Sequence, residues 1–328
     1  MSRAMEAGRT LAMGENEAAG GGRQSVDAPF GKALARLGQE RENIVGLTAD
    51  LGKYTDIHPF RDAYPERFFN VGMAEQNLVA VAAGLARTGK QPFATTYGVF
   101  ASRRAFDFVA IALAHSNLDV KLVAGLPGLT TGYGGTHQAI EDLALMRMIP
   151  GLTIIDPMDA TEIDAATVAM SDHRGPVYMR LLRGAVPVVL EPGYRFEIGK
   201  ARQLRDGKDV GIISTGLMSE RAVDAAALLE KRGISVAVLH VPTIKPFDAE
   251  TVAAFAASVG QLVTAENHVV VGGLASLVVE TLFDAGIVRK VTRIGLPDRY
   301  IECGAVPTLQ QKYGLTVEAV VERIVGLQ

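Results

Sequence analysis

The chain has 328 residues, of which 48% are hydrophobic and 21% are charged, and its formal net charge is -3. This composition is typical of globular proteins, and the length predicts two domains. The small net charge argues against binding to nucleic acid or to an anionic membrane surface. No apolar run approaches the length of a membrane-spanning helix. The single cysteine, Cys303, excludes an intrachain disulfide, so we expect a cytoplasmic protein.

Residues 1–25 are rich in Gly, Ala and Glu and show no periodicity. They lack the apolar core of a signal peptide, and their acidic residues argue against a transit peptide. We therefore expect a disordered N-terminal segment over residues 1–25.

Short β-rich runs alternate with helical runs from residue 26 onward. Such alternation predicts a parallel sheet with helices on both faces. The predicted strands are residues 43–49, 67–72, 91–97, 120–126, 152–157 and 176–182, and the predicted helices are 27–40, 74–88, 101–116, 138–148 and 160–172.

A stretch rich in proline and glycine, residues 184–200, interrupts this pattern. A second alternation follows, with strands at 209–215, 235–242, 261–267 and 291–297 and helices at 221–233, from Asp248 and from about Gly273. We predict a first α/β domain over 26–186, a linker over 187–197 and a smaller α/β domain over 198–328.

Glu75 stands where a predicted strand meets a predicted helix, with Leu78, Val79 and Ala82 on the apolar face behind it. Its carboxylate is therefore expected to be partly buried. It could be an ordinary acid at a helix N-terminus, which the helix dipole stabilises. It could also be functional, because ligands of open α/β sheets bind beyond the carboxyl ends of the strands.

Two further features lie at such strand ends. Tyr97 and Phe100 are three residues apart, so they share a helical face and could either sandwich a flat ring or belong to the core. A glycine-rich loop, residues 125–135, precedes His137, and histidine is suited to proton transfer near neutral pH. The loop matches neither a dinucleotide fingerprint nor a P-loop, and the histidines lack metal-ligand spacing. His268 is expected to be a capping or interface residue of the second domain.

An ordered set of short motifs resembles transketolase. The motifs are ADL (49–51), NVGMAEQN (70–77), TTYGVF (95–100), GGTHQ (134–138), DPMDATE (156–162), GPVYMRLLRG (175–184) and TAENHVVVGG (264–273). The resemblance covers nearly the whole chain after its first 25 or so residues. It implies the pyrimidine-binding domain of thiamine diphosphate enzymes followed by the smaller C-terminal domain, as in the second subunit of two-component transketolases.

The resemblance implies a role for each matching residue. Glu75 matches the glutamate that hydrogen-bonds the cofactor's aminopyrimidine and thereby promotes activation of the thiazolium. Phe100 matches the aromatic that stacks on the pyrimidine, Tyr97 a second aromatic, and Asp50 an aspartate near the cofactor. His137 matches the histidine that holds and protonates substrate hydroxyls. The remaining match, Arg183, corresponds to the arginine that clamps the phosphate of sugar substrates.

The substrate half departs from the family pattern. Tyr133 replaces an aspartate that reads a substrate hydroxyl, and Arg103 stands near the position of a third aromatic. We expect both Tyr133 and Arg103 to contact the substrate. Lys53 and Tyr54 lie where the family has a phosphate-binding serine. We therefore expect a ketose substrate, phosphorylated or otherwise anionic, without assuming the usual donor.

The diphosphate-binding domain of the family, which holds Mg²⁺ with a Gly-Asp-Gly motif, has no counterpart in this sequence. The resemblance thus implies a partner, the N-terminal transketolase subunit, that supplies Mg²⁺ and the diphosphate site. We expect an α2β2 assembly and an inactive isolated chain. The apolar runs 78–86 and 105–114 are expected to be buried against another chain.

Two alternatives remain open at this point. The chain could be the β subunit of a 2-oxoacid dehydrogenase or of a deoxyxylulose-phosphate-synthase-like enzyme, which share the architecture. It could also be a non-catalytic regulatory subunit. The histidine of THQ and the arginine of LLRG favour transketolase.

Overall fold

The computed structural model describes residues 22–327. Its strands are β1 (Ser25–Asp27), β2 (Ile44–Thr48), β3 (Phe68–Asn70), β4 (Gln91–Tyr97), β5 (Lys121–Gly125), β6 (Thr153–Ile155), β7 (Val177–Leu181), β8 (Ala185–Pro187), β9 (Arg202–Arg205), β10 (Val210–Ser214), β11 (Val236–His240), β12 (Thr243–Lys245), β13 (Gln261–Val269) and β14 (Val291–Leu296). The helices are α1 (Pro29–Glu40), α2 (His58–Ala63), α3 (Glu75–Arg87), α4 (Asp142–Arg147), α5 (Ala160–Asp172), α6 (Leu217–Glu230), α7 (Ala249–Ser258), α8 (Leu274–Asp284), α9 (Val306–Lys312) and α10 (Val317–Val325).

The first domain is built on a seven-stranded sheet in the order β12-β6-β7-β5-β4-β2-β3. All neighbouring strands are parallel except β12 and β6. Every residue of the central strands β2, β4, β5 and β7 is buried, as expected for a parallel sheet covered on both faces. The predicted α/β class of this domain is confirmed.

The second domain has a five-stranded sheet in the order β14-β13-β10-β11-β9, in which only β9 runs antiparallel to its neighbour. It also contributes β12 to the edge of the first sheet, where Thr243 pairs with Ile155. Lys245 at the end of β12 donates to the carbonyl groups of Arg147 at 3.0 Å and of Ile149 at 2.6 Å. The two domains are therefore joined by shared sheet structure as well as by the chain that connects them.

Several elements differ from the sequence prediction. The helix predicted over 101–116 is irregular, with π-helical turns at Phe100–Arg104 and Val109–His115 around one α-helical turn at Phe106–Phe108. The helix predicted over 138–148 begins only at Asp142. Short elements such as α2, β8 and β12 were not predicted, because three to six residues carry too little periodicity to be recognised.

The expected disordered segment, residues 1–25, lies mostly outside the described residues. Its last residue, Ser25, begins β1, which pairs antiparallel with β8. Pro187, the first residue of the expected linker, is the partner of Ser25 in this small sheet. The strands at the beginning and at the end of the first domain therefore pair with each other in one small sheet.

The carboxyl ends of β2, β4, β5 and β7 lie side by side. Tyr97 at the end of β4 is in register with Gly125 of β5, which is in register with Leu181 of β7. Loops that follow neighbouring parallel strands emerge at the same edge of the sheet, where ligands of open α/β sheets bind.

Candidate active site

Glu75 is the first residue of α3, and its side chain is only 2% exposed. A carboxylate at this depth requires a compensating charge or hydrogen bonds. Arg104 provides one, donating from Nη1 to Glu75 Oε2 at 2.8 Å. The Arg104 side chain itself is 47% exposed, so the ion pair joins a buried carboxylate to a guanidinium that is partly exposed to solvent.

Aromatic rings line the space next to this ion pair. Tyr97 and Phe100 lie with ring centroids 5.9 Å apart and planes at 30°, and the guanidinium carbon of Arg104 lies 4.4 Å from the Phe100 centroid. The imidazole of His137 approaches Phe100 edge-on, with centroids 5.5 Å apart. Four residues predicted from three separate motifs, Glu75, Tyr97, Phe100 and His137, therefore converge on one site.

His137 follows a short 3-10 turn, Gly134–Thr136, and its Nδ1 lies 2.8 Å from the Thr136 hydroxyl. Burial, together with the positive charge of Arg104, lowers the pKa of His137. The imidazole is consequently neutral near pH 7 and can accept a proton. Tyr133, the residue that departs from the family pattern, lies with its ring 5.2 Å from His137.

Arg103 contacts the glycine loop. Its Nη2 donates to the carbonyl oxygen of Gly135 at 2.6 Å, and its Nε lies 3.1 Å from Glu141. In this structure the guanidinium therefore holds the loop that carries His137. The predicted substrate contact of Arg103 stays a prediction.

Arg183 lies near Tyr54 and Tyr97. Its guanidinium carbon is 6.0 Å from the Tyr54 ring, and its charge opposes the rise in the pKa of Tyr97 that burial causes. Asp56, in the same region, accepts a 2.6 Å hydrogen bond from the backbone of Gly184. Burial raises the pKa of Asp56 while this hydrogen bond and the Arg183 charge act to lower it. A cation and two phenols thus border the site where the substrate half is expected.

Asp50 is less closely connected to these rings. It has a left-handed backbone conformation with φ of 59° and accepts a 2.9 Å hydrogen bond from Asn70. The next residue, Leu51, packs against the cluster that contains Tyr97 and Val99. Asp50 therefore lies at the edge of the site, and its cofactor role stays a prediction.

Sequence reasoning missed the role of Arg104 in this site. The signal was the Arg103-Arg104 pair directly after two aromatics, but spacing does not reveal that one arginine faces the carboxylate and the other the loop. The π-helical turn at Phe100–Arg104 decides this, because a wider turn rotates side chains away from α-helical positions.

Within residues 22–327, the structure contains no group of three or more His, Cys, Asp or Glu that could hold a metal ion. In the same described part of the chain, no helix is both long and apolar enough to cross a membrane.

Both domains match known families. Residues 24–188 match the family described as transketolase, pyrimidine binding domain, and residues 199–320 match transketolase, C-terminal domain. The transketolase family protein y4mN of Sinorhizobium fredii is 56% identical over 309 residues, covering 93% of this chain and 90% of that protein. The 6-deoxy-6-sulfo-D-fructose transketolase subunit SqwH of Clostridium sp. is 42% identical over 289 residues, covering 88% of this chain and 89% of that protein.

A solved structure described as a split gene transketolase, inactive beta4 tetramer, is also similar. Its TM-score is 0.83 at 43% sequence identity, and the match covers 91% of this chain and 96% of that one. The chain therefore belongs to the transketolase family, and it contains the pyrimidine-binding and C-terminal domains of a split transketolase.

Proposed function

We propose that the protein is the subunit of a two-component transketolase that transfers a two-carbon ketol unit from an anionic ketose to an aldose. One observation carries this proposal: the buried carboxylate of Glu75, two aromatic rings and the imidazole of His137 meet at the carboxyl ends of parallel strands. A non-catalytic subunit would have no need to bring a buried carboxylate, two aromatic rings and an imidazole together at the ligand-binding edge of the sheet.

The residues present fit the aminopyrimidine of thiamine diphosphate. Glu75 offers an acceptor at the N-terminus of α3, and Phe100 and Tyr97 offer faces on which a flat ring can stack. When bound, the cofactor supplies the thiazolium carbon that attacks a ketose carbonyl. The contribution of this chain is to hold one end of the ring with Glu75 and to exclude water from that hydrogen bond.

The substrate half would be formed by His137, Arg183 and Tyr133. A neutral imidazole can exchange a proton with a hydroxyl of the sugar, and a guanidinium binds a terminal phosphate or sulfonate through paired hydrogen bonds. The similarity to a subunit named for a sulfosugar supports an anionic ketose, in which either acid group could lie against Arg183. Arg103 would shape this half indirectly, through its hydrogen bond to Gly135.

A partner subunit would complete the site with the diphosphate-binding domain and Mg²⁺. Support comes from the relative described as an inactive beta4 tetramer, a split-gene chain without activity in that assembly. An α2β2 enzyme in which the active site lies between chains would account for this.

The proposal is tested by reconstitution. The chain is mixed with an N-terminal transketolase subunit that carries the Gly-Asp-Gly motif, thiamine diphosphate and Mg²⁺, and ketol transfer from anionic ketoses is followed. We expect turnover only in the mixture, and a loss of at least about 100-fold in kcat with Glu75→Gln, which keeps the shape of the side chain but not its charge. Turnover by the chain alone, or an undiminished rate with Glu75→Gln in the mixture, would refute it.

The acyl-transferring alternatives are tested in the same mixture. Ketol transfer and pyruvate decarboxylation would both use Glu75, so Glu75→Gln cannot separate them and the substrate has to. A pyruvate-dependent, decarboxylating reaction in place of ketol transfer would assign the chain to the dehydrogenase or deoxyxylulose-phosphate-synthase type.

A further inference from the structure

The loop that carries His137 belongs to the first domain in sequence but is held by the second domain in space. We call residues 127–137 the substrate loop. The side chain of Leu129 is fully buried in the hydrophobic core of the second domain, among residues such as Val263 and Leu309. Apolar contacts in the second domain therefore help to hold this loop of the first domain in place.

Asn267 on β13 fixes the start of the substrate loop. It is 3% exposed, its Oδ1 accepts from the Leu129 amide at 2.8 Å, and its Nδ2 donates to the carbonyl of Pro127 at 3.3 Å. Gly128 lies between these two contacts with φ of +59°, and a Cβ there would stand only 2.2 Å from the Asn267 carbonyl oxygen. The backbone approaches Asn267 more closely than any other residue type would allow.

Gln310 on α9 makes the second attachment. Its Nε2 donates to the carbonyl of Leu129 at 2.8 Å, so both backbone groups of that residue bond to the second domain. The Gln310 amide is oriented by Arg221, whose Nη2 donates to Gln310 Oε1 at 2.7 Å. Arg221 is in turn fixed by the carbonyl of Leu315 at 2.6 Å.

A third attachment lies next to His137. The amide of Gly304 donates to the carbonyl of Gly132 at 3.0 Å. Cys303 and Tyr300 pack directly beneath the loop, within 2.7 Å and 3.1 Å of where a Cβ would stand on Gly134 and Gly135. The last residues before His137 thus rest on the second domain.

We infer that the second domain serves catalysis as the clamp that positions the substrate loop, with Asn267 and Gln310 as positioning residues for His137. The importance of His137 to catalysis rests on the proposed function, but the clamp itself does not. A hydrogen-bonding site made of two buried amide side chains restrains the loop backbone in one conformation, which proton transfer to a substrate hydroxyl requires.

Hydrogen exchange on the full-length chain tests the clamp directly. The variants are Asn267→Ala and Gln310→Glu, with Gln261→Ala as a control, because Gln261 bonds to the carbonyl of Leu327 away from the loop. Gln310→Glu retains an acceptor for Arg221 but cannot donate to Leu129. A carboxylate is tolerable there, because burial lowers the pKa of Arg221 to about 10 and the cation gains from a negative neighbour.

We expect peptides from residues 127–137 to exchange about tenfold faster in both variants, with unchanged exchange in β10 and β11, since each variant removes a hydrogen bond to a buried backbone group. The control should match the wild type. Unchanged exchange in the loop of Gln310→Glu, or equal acceleration across the whole second domain, would overturn the inference. Gln310→Glu decides the matter if Asn267→Ala fails to fold.

A kinetic split separates positioning from general stability. In the reconstituted enzyme, both variants should lower kcat for the ketose about tenfold while the Kd for thiamine diphosphate stays as in the wild type. The reason is that the hydrogen bonds and ring contacts of Glu75 and Phe100 within residues 22–327 do not involve Asn267 or Gln310. Equal losses in both quantities would contradict the inference. If the wild-type mixture shows no ketol transfer, the proposed function fails, whereas localised loop exchange would still support the clamp.

Discussion

Glu75 and Arg104 form an ion pair whose two members have very different environments, at 2% and 47% side-chain exposure. The guanidinium also lies over Phe100, with its central carbon 4.4 Å from the ring centroid. A ligand ring that uses Glu75 and Phe100 has to share both with this cation. Substituting Arg104 is therefore the most direct way to change the net charge around Glu75 and Phe100.

Removing Arg104 should destabilise the protein. Arg104→Ala leaves a buried carboxylate without its cation, and we expect a loss of about 1–2 kcal/mol in the free energy of unfolding, reduced from the cost in a dry site because Arg104 is half-exposed. The double variant with Glu75→Gln should be closer to the wild type than the two single losses predict. Urea unfolding at pH 7 measures all three.

An exposed ion pair provides the control. Arg36 and Asp164 lie 2.6 Å apart with side chains 57% and 40% exposed, so Arg36→Ala should cost less than about 0.5 kcal/mol. Equal losses for the two arginines would mean that the burial of Glu75 has no energetic consequence.

Arg183 should determine preference for anionic substrates. Under the proposed function, Arg183→Ala should raise the KM for a phosphorylated or sulfonated ketose at least about tenfold and leave an uncharged ketose unaffected, since one charge-assisted contact contributes roughly 1.5–3 kcal/mol. Arg183→Lys should recover part of the loss. The control is Arg202→Ala, an arginine that stacks on Tyr194 outside the site. Equal effects on charged and uncharged ketoses would refute this role.

At the scale of elements, α3 has two contrasting faces. Leu78, Val79, Ala82 and Ala83 are buried, whereas Ala80 and Gly84 are exposed. Nearby, Ile111 is 59% exposed and Phe108 39% exposed on the irregular helix. The two apolar runs are thus buried on one side only within this chain. We expect the partner subunit to pack against their exposed side.

Gly84→Glu tests this expectation. A Cβ at Gly84 meets no atom within 4 Å, and a glycine in a helix interior is replaced without loss of helix propensity, so the isolated chain should unfold as the wild type does. Association with the partner should be lost, because the interface would have to bury a charge. Sedimentation of the mixture measures it, with Ala257→Glu on the exposed side of α7 as control. Assembly of Gly84→Glu at wild-type concentration would exclude this face.

The elements that the sequence predicted correctly share one property. The central strands β2, β4, β5 and β7 and the helices α3 and α5 are long enough for burial to impose a clear apolar pattern. The strand β12 is too short, at three residues, to show such a pattern. It forms because it pairs with β6, which lies more than 80 residues earlier in the chain. The π-helical turns likewise depend on packing that no local pattern reveals.

At the scale of the whole molecule, His268 joins the two domains. It is fully buried, and its Nε2 accepts from the amide of Ala144 at 3.3 Å, so it caps α4 from the second domain as the sequence suggested. Burial and the charge of Arg180 lower its pKa from 6.5 to about 4. The unfolded chain therefore binds more protons than the folded chain between these values, and stability falls as the pH drops from about 6.5 to about 4.

The acid sensitivity of His268 is measurable. We expect this histidine to cost up to about 3 kcal/mol at pH 4, and His268→Gln, which keeps an acceptor but does not titrate, to lose less stability between pH 7 and pH 5 than the wild type. Glu266 faces His268 at 3.8 Å, and its pKa of about 7 acts in the opposite direction, so only the difference between variant and wild type isolates His268. The exposed His115→Gln is the control. Parallel pH profiles would contradict the prediction.

The sequence by itself determined the α/β class and the positions of the long strands along the chain. It also identified Glu75, Tyr97, Phe100 and His137 as candidate site residues. These follow from local periodicity and from short motifs whose chemistry is carried by residue type. Only the tertiary structure decided that Arg104 neutralises Glu75, that Arg103 holds the glycine loop, and that Asn267 and Gln310 of the other domain fix Leu129. The physical reason is that each of these contacts pairs a charge or a backbone group with a partner that is distant in the chain or lies on an irregular turn. The spacing of residues in the sequence reveals neither such long-range pairing nor the direction in which a side chain on an irregular turn points.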